Sequence, residues 1–125
     1  MPDIHLRLGR EVLVIDGAMG TMLQRAGIPP EQSAMQLNIT APDVIQEVHR
    51  LYALAGAECA TTNSFGGTRF KLAEYGLADQ VVELNRAAVR VARAGGAPHV
   101  LGDIGPTGLV LEPLGSAGFD EVFDA

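Results

Sequence analysis

The chain has 125 residues, a formal net charge of −6, and 47% hydrophobic against 19% charged residues. That balance excludes a disordered or low-complexity polypeptide and suits one ordinary domain. No Lys/Arg-rich stretch is present to release counterions, which excludes a nucleic-acid backbone as partner.

The start, Met1-Pro2-Asp3-Ile4-His5-Leu6-Arg7, carries charges where a signal peptide needs an apolar core. The run Val12-Leu13-Val14-Ile15 is far too short to cross a bilayer, so the chain reads as soluble with no membrane partner. Its β-branched and aliphatic content instead predicts a parallel strand buried on both faces. Met22 to Ala26 predicts a short turn of helix. Thr40 is expected to N-cap the next helix, with Asp43 reaching back as the capping-box acid and Pro42 in the first turn. Val44, Ile45, Val48, Leu51, Tyr52 and Ala55 then share a face at helical spacing, and Gly56 supplies the stop.

Cys59-Ala60-Thr61-Thr62 predicts a second strand ending at Asn63. Thr68 to Tyr75 predicts a shorter helix ending at Gly76. A longer helix begins near Asp79 and carries Val81, Val82, Leu84, Ala88, Val89 and Ala92 up to Gly95-Gly96. Its Asp79, Glu83, Arg86, Arg90 and Arg93 read as a solvated stripe. His99-Val100-Leu101 predicts the third strand, and Phe119 to Ala125 is expected to lie in a helix.

Strand, helix, strand, helix, strand means βαβ units and a parallel sheet, an α/β fold. Two architectures answer to that pattern: an open doubly wound sheet, and part of a (β/α)8 barrel, about its first three βα units. Each predicted strand ends in a polar residue beside a turn: Asp16 before Gly17, Asn63 before Ser64-Phe65-Gly66-Gly67, and Asp103 within Gly102-Asp103-Ile104-Gly105-Pro106. In both architectures ligands bind at the carboxyl ends of parallel strands. Two carboxylates and an amide gathered there suit an ammonium-bearing or hydroxylated small molecule better than a phosphate. Asp16-Gly17-Ala18-Met19-Gly20-Thr21 matches neither the dinucleotide fingerprint nor the P-loop, although its backbone N–H groups could hold a carboxylate.

Each of these residues also has a purely structural role open to it. The glycines could serve a tight turn, Asp103 could orient its own Gly-Pro turn, and Asn63 could cap the following segment. Cys59, the single cysteine, excludes an internal disulfide framework, fits a reducing, cytoplasmic setting and reads as a small buried strand residue. It cannot by itself build a tetrahedral zinc site. His5, His49 and His99 form no metal-spaced pair, and His49, beside Arg50, is expected on a wet helix face.

The segment Asp16-Gly17-Ala18-Met19-Gly20-Thr21-Met22-Leu23-Gln24 resembles the opening motif of the homocysteine-binding domain of cobalamin-dependent methionine synthases. Gly56-Ala57-Glu58-Cys59-Ala60-Thr61-Thr62-Asn63-Ser64-Phe65-Gly66-Gly67 resembles that domain's second-strand motif, and Leu101-Gly102-Asp103-Ile104-Gly105-Pro106-Thr107-Gly108 its third. The motifs keep the family's order and span nearly the whole chain. The resemblance implies a (β/α)8 barrel in which a zinc-bound homocysteine thiolate takes a methyl group, giving methionine. In the cobalamin-dependent branch the methyl group comes from methylcobalamin on another module. It further implies that Asp16 meets the substrate ammonium, that backbone N–H groups around Gly17, Ala18 and Met19 hold its carboxylate, and that Asn63 and Asp103 lie at the same mouth.

The family's zinc is held by three cysteines from later strands, and Cys59 falls on none of those positions. A whole barrel needs about 250 residues. Residues 1–125 are therefore expected to be an N-terminal fragment of the homocysteine-binding domain, inactive in methyl transfer alone. The competing expectation is a small stand-alone α/β binding or assembly module that closes its exposed sheet by self-association.

Overall fold

A computed structural model describes residues 3–125. Its elements, in chain order, are α1 (Ile4–Arg7), α2 (Gly20–Arg25), α3 (Ala34–Thr40), α4 (Pro42–Leu54), β1 (Cys59–Thr61), α5 (Arg69–Ala73), a 3-10 turn (Ala78–Gln80), α6 (Val81–Ala94), β2 (His99–Leu101) and α7 (Phe119–Phe123).

The long helices form where their punctuation places them. Pro42 opens α4 with a fixed φ and no N–H to satisfy, and Asp43 sits in the positively polarised first turn. Gly56, at φ +105°, turns the chain away in a conformation that a side chain would oppose. The expected cap is different in detail. Thr40 ends α3 and donates its hydroxyl to the Gln36 carbonyl at 3.2 Å, so it cannot reach forward, and Ala41 occupies the N-cap of α4 without a side-chain bond. Thr68 does cap α5, accepting from the Lys71 N–H at 3.3 Å.

The sheet is parallel, with Cys59 opposite His99, Ala60 opposite Val100 and Thr61 opposite Leu101. On the other side of β1, Ile15 bridges Cys59, Glu58 N–H donates to the Val14 carbonyl at 2.8 Å, and Asp16 N–H donates to the Cys59 carbonyl at 2.9 Å. The order is therefore the Val14–Asp16 edge, then β1, then β2. The predicted first strand contracts to that bridge, and it is not buried on both faces: Val12, Val14 and Ile15 are 86%, 51% and 54% exposed. Among the described residues it pairs only with β1, and its exposed side chains show that little packs over them. Cys59 and Ala60, in the middle of the sheet, are buried as expected of a central strand.

Helices α3, α4 and α6 pack against one another, and α4 and α6 lie against the sheet. One core cluster joins Leu23, Leu37, Ile45, Val48 and Val91, and a second joins Met35, Leu72, Leu77 and Leu84. Each fully buried Leu or Ile contributes about 1.5–3 kcal/mol relative to exposure. Ala88 and Ala92, both fully buried, let α6 approach its neighbours closely. Val82, expected on the same face, is 61% exposed, while Arg86, Arg90 and Arg93 face solvent as the stripe predicts. Among the described residues no helix is long and apolar enough to cross a membrane.

Candidate functional site

Beyond the carboxyl ends of the three chain segments of the sheet lies a cavity of about 390 Å3. Asp16, Gly17, Ala18 and Met19 line it from the loop after the Ile15 bridge, Thr61, Thr62, Asn63 and Phe65 from the end of β1, and Asp103 from the end of β2. The parallel register puts these ends side by side. All of Asp16, Gly17, Ala18, Met19, Asn63 and Asp103 thus share one cavity, which no basic residue lines.

Asp16 is held by the sheet. One carboxylate oxygen, Oδ2, accepts the Thr61 N–H at 2.9 Å, and the side chain is only 4% exposed. Its other oxygen, Oδ1, is buried with no hydrogen-bond partner. An anionic oxygen left without a donor is costly unless something else supplies one. The loop that follows offers the complementary chemistry: the N–H groups of Gly17, Ala18 and Met19 donate to no carbonyl among the described residues. Free N–H groups beside a carboxylate fit the two ends of an amino-acid zwitterion.

Asn63 does not cap the segment after it. Its Nδ2 donates to the Ala34 carbonyl at 2.7 Å and to Asn38 Oδ1 at 3.1 Å, while Asn38 Nδ2 donates to the Asn63 carbonyl at 2.9 Å. This buried reciprocal pair ties α3 to the end of β1. Asp103 is positioned through its backbone. Its N–H donates to Thr62 Oγ1 at 2.9 Å, and Ser64 Oγ donates to its carbonyl at 2.7 Å. The 2.6 Å Thr62–Ser64 hydroxyl contact must then run from Thr62 to Ser64, which closes a ring of donors and acceptors. The Asp103 carboxylate itself makes no hydrogen bond to its Gly-Pro turn.

His49 departs most from expectation. Its side chain is fully buried, with Nδ1 3.7 Å from Asp16 Oδ2. The helix face it occupies also carries Ile45 and Tyr52, and that face meets the sheet and α6 rather than water. Burial pushes the imidazole pKa below its ordinary value, against the pull of Asp16. One turn on, Tyr52 donates its hydroxyl to the Ala18 carbonyl at 2.9 Å. The spacing of His49 four residues after Ile45 and three before Tyr52 was the signal available in the sequence.

Cys59 is buried in β1, and burial pushes its thiol pKa up. Among the described residues no group of three or more His, Cys, Asp or Glu is arranged to hold a metal ion.

The family model described as homocysteine S-methyltransferase matches residues 13–125. Methionine synthase of Mycobacterium tuberculosis (strain ATCC 25618 / H37Rv) is 37% identical over 132 residues, covering 94% of this chain and 11% of the relative. Methionine synthase of Mycobacterium leprae (strain TN) is 36% identical over 137 residues, covering 98% and 11%. Among solved structures, the metallated form of the homocysteine methyltransferase MmuM from Escherichia coli superposes with a TM-score of 0.70 at 33% identity, over 82% of this chain and 40% of that one. Its oxidized form gives 0.73 at 32% identity, over 84% and 41%. The chain therefore spans about a tenth of these curated relatives' length and two fifths of the solved chains.

Proposed function

The chain belongs to the homocysteine S-methyltransferase family, and from that premise we propose that residues 1–125 form the first three βα units of a (β/α)8 barrel, the N-terminal part of a homocysteine-binding domain. In this reading the cavity takes the amino-acid end of homocysteine, whose thiolate accepts a methyl group to give methionine. Asp16 Oδ1 meets the ammonium, the N–H groups of Gly17, Ala18 and Met19 hold the carboxylate, and Asn63 and Asp103 complete the rim. The observation that carries it is the buried carboxylate of Asp16, a residue that lines this cavity and whose Oδ1 has no partner, where no basic residue lines the wall.

Zinc and cobalamin, which the family resemblance implies, find no ligand set here. Cys59 is the sole cysteine, its thiol is sequestered in β1, and no metal-ready cluster exists among the described residues. We therefore assign thiol activation and the methylcobalamin-carrying partner to residues outside these 125, and the chain's own part to binding and orientation. Methyl transfer by this chain alone is expected to be absent, from any donor.

The test is calorimetric titration of homocysteine into the chain, extended through the region that the solved relatives carry beyond it. Binding that weakens at least tenfold in Asp16→Asn, about the worth of one charge-assisted hydrogen bond, supports the reading. No binding by the zinc-loaded wild type removes it. One observation favours a second reading, a self-associating module: the exposed Val12, Val14 and Ile15 edge. A single well-defined oligomer in sedimentation velocity of the 125-residue chain would favour it.

A further inference from the structure

His49 is the least comfortable polar group in the described structure. Neither ring nitrogen has a hydrogen-bond partner, and both are buried. An orphaned buried imidazole destabilises a fold until a hydrogen-bond partner is supplied. Its surroundings are closely built. Gly95, at the C-cap of α6, backs directly onto His49, and a Cβ there would collide with the His49 Cβ. Helix α6 thus packs directly against the base of the His49 side chain, and the carboxylate of Asp16 is the charged group that faces its ring.

The separation of Nδ1 from Asp16 Oδ2, 3.7 Å, exceeds a hydrogen bond by less than an ångström. Oδ2 already accepts the Thr61 N–H, and Oδ1 is unclaimed. A carboxylate held at one oxygen by a single donor turns about its Cβ–Cγ bond more easily than one held there by two. We propose that His49 is a positioning residue for Asp16: in its neutral form, protonated at Nδ1, it closes onto Oδ2 from behind and leaves Oδ1 directed at an ammonium group in the cavity. Apo hydrogen bonds of this kind are often long and shorten when the ligand arrives. Burial keeps the ring neutral near pH 7, the form in which one nitrogen donates. Tyr52, one turn on and bonded to the Ala18 carbonyl, fixes the other end of the same loop, so α4 braces the ligand-facing segment at two points. This inference rests on the reading of Asp16 as the ammonium site.

The first measurement needs no ligand. Long-range proton–nitrogen correlation NMR of the 15N-labelled 125-residue chain reports the His49 tautomer. The expected result is a neutral ring carrying its proton on Nδ1, whose signals move in Asp16→Asn while those of His5 and His99 stay. A ring protonated on Nε2 alone, with bare Nδ1 towards the carboxylate, overturns the proposal. The second measurement uses the extended chain. His49→Leu should raise KM for homocysteine roughly tenfold with kcat little changed, the size of one hydrogen bond to a charged group. His49→Asn, which keeps a donor near Nδ1, should restore most of that loss. Equal KM in both variants and wild type overturns it. If the wild type binds no homocysteine, the function fails while the tautomer still decides the His49–Asp16 pairing. If His49→Leu does not fold, the tautomer decides likewise.

Discussion

The ring of Tyr52 stands so close to Gly17 that a Cβ built on the glycine would lie 2.9 Å from the tyrosine hydroxyl and 3.0 Å from Cε1. The same hydroxyl donates to the Ala18 carbonyl, so helix α4 touches the loop at consecutive residues. Replacing Gly by Ala ordinarily stabilises by about 0.4–1 kcal/mol through the unfolded chain. Here the opposite sign is expected. Gly17→Ala should displace the ring, break its bond and cost about 1–3 kcal/mol in urea unfolding. Tyr52→Phe should cost about 1 kcal/mol, since it loses the hydrogen bond but keeps the packing. A Gly17→Ala protein at least as stable as wild type would show that the ring does not restrain the loop.

The hydroxyl ring around Asp103 makes a second prediction. Thr62→Val keeps the shape of Thr62 but leaves the Asp103 N–H without its acceptor. The expected loss is about 1–2 kcal/mol, the lower part of the penalty for an unsatisfied donor, because Asp103 is half-buried. Ser64→Ala removes a donor to the Asp103 carbonyl and should cost less, about 1 kcal/mol. Since both act through one network, the double variant should lose less than the two single losses added together. Strict additivity in denaturant unfolding would dissolve the network into independent contacts.

Gly105 lies against the backbone of Phe65, and a Cβ there would run into the Phe65 carbonyl. Backbone cannot move aside as a side-chain tip can. Gly105→Ala should therefore destabilise by about 1–3 kcal/mol and push the loops after β1 and β2 apart. The amide signals of Phe65 and Asp103 should shift with the loss, and an unchanged spectrum with unchanged stability would contradict the packing.

The pH dependence of stability follows from His49. Burial depresses its folded pKa below the ordinary 6.5, so the unfolded chain binds the proton more readily. Stability should be complete above that value, fall as pH drops below it, and level off beneath the folded pKa. Glu58, whose pKa is lowered by its bond to Arg7, adds a loss only further down, as pH falls below its ordinary 4.5. Urea midpoints between about pH 7.5 and 5 should therefore decline in wild type and flatten in His49→Asn. A wild-type curve flat over that range would remove His49 from the account.

Much of the fold was legible because its punctuation is local. Pro42 and Gly56 bound α4, Gly95-Gly96 ends α6, and Thr68 caps α5 through contacts spanning a few residues. Helix α3 escaped prediction: it has seven residues, and its inward face mixes Met35 and Leu37 with Asn38, a polar residue whose partner lies 25 positions away. The capping role of Thr40 was misjudged because the same side chain can bond backward, and α3 precedes it directly. The rim residues Asp16, Asn63 and Asp103 were legible as strand-end polars. Their hydrogen bonds were not, because each is made to a distant segment.

By itself the sequence determined the alternation of strands and helices, the parallel order and the polar residues at the strand ends, because periodicity and turn residues act over a few positions. Only the tertiary structure decided the burial of His49 against Asp16, the exposure of Val12, Val14 and Ile15, and the acceptors that hold the Asn63 amide. Those depend on which layer covers a face, and a side chain's solvent is set by neighbours far away along the chain.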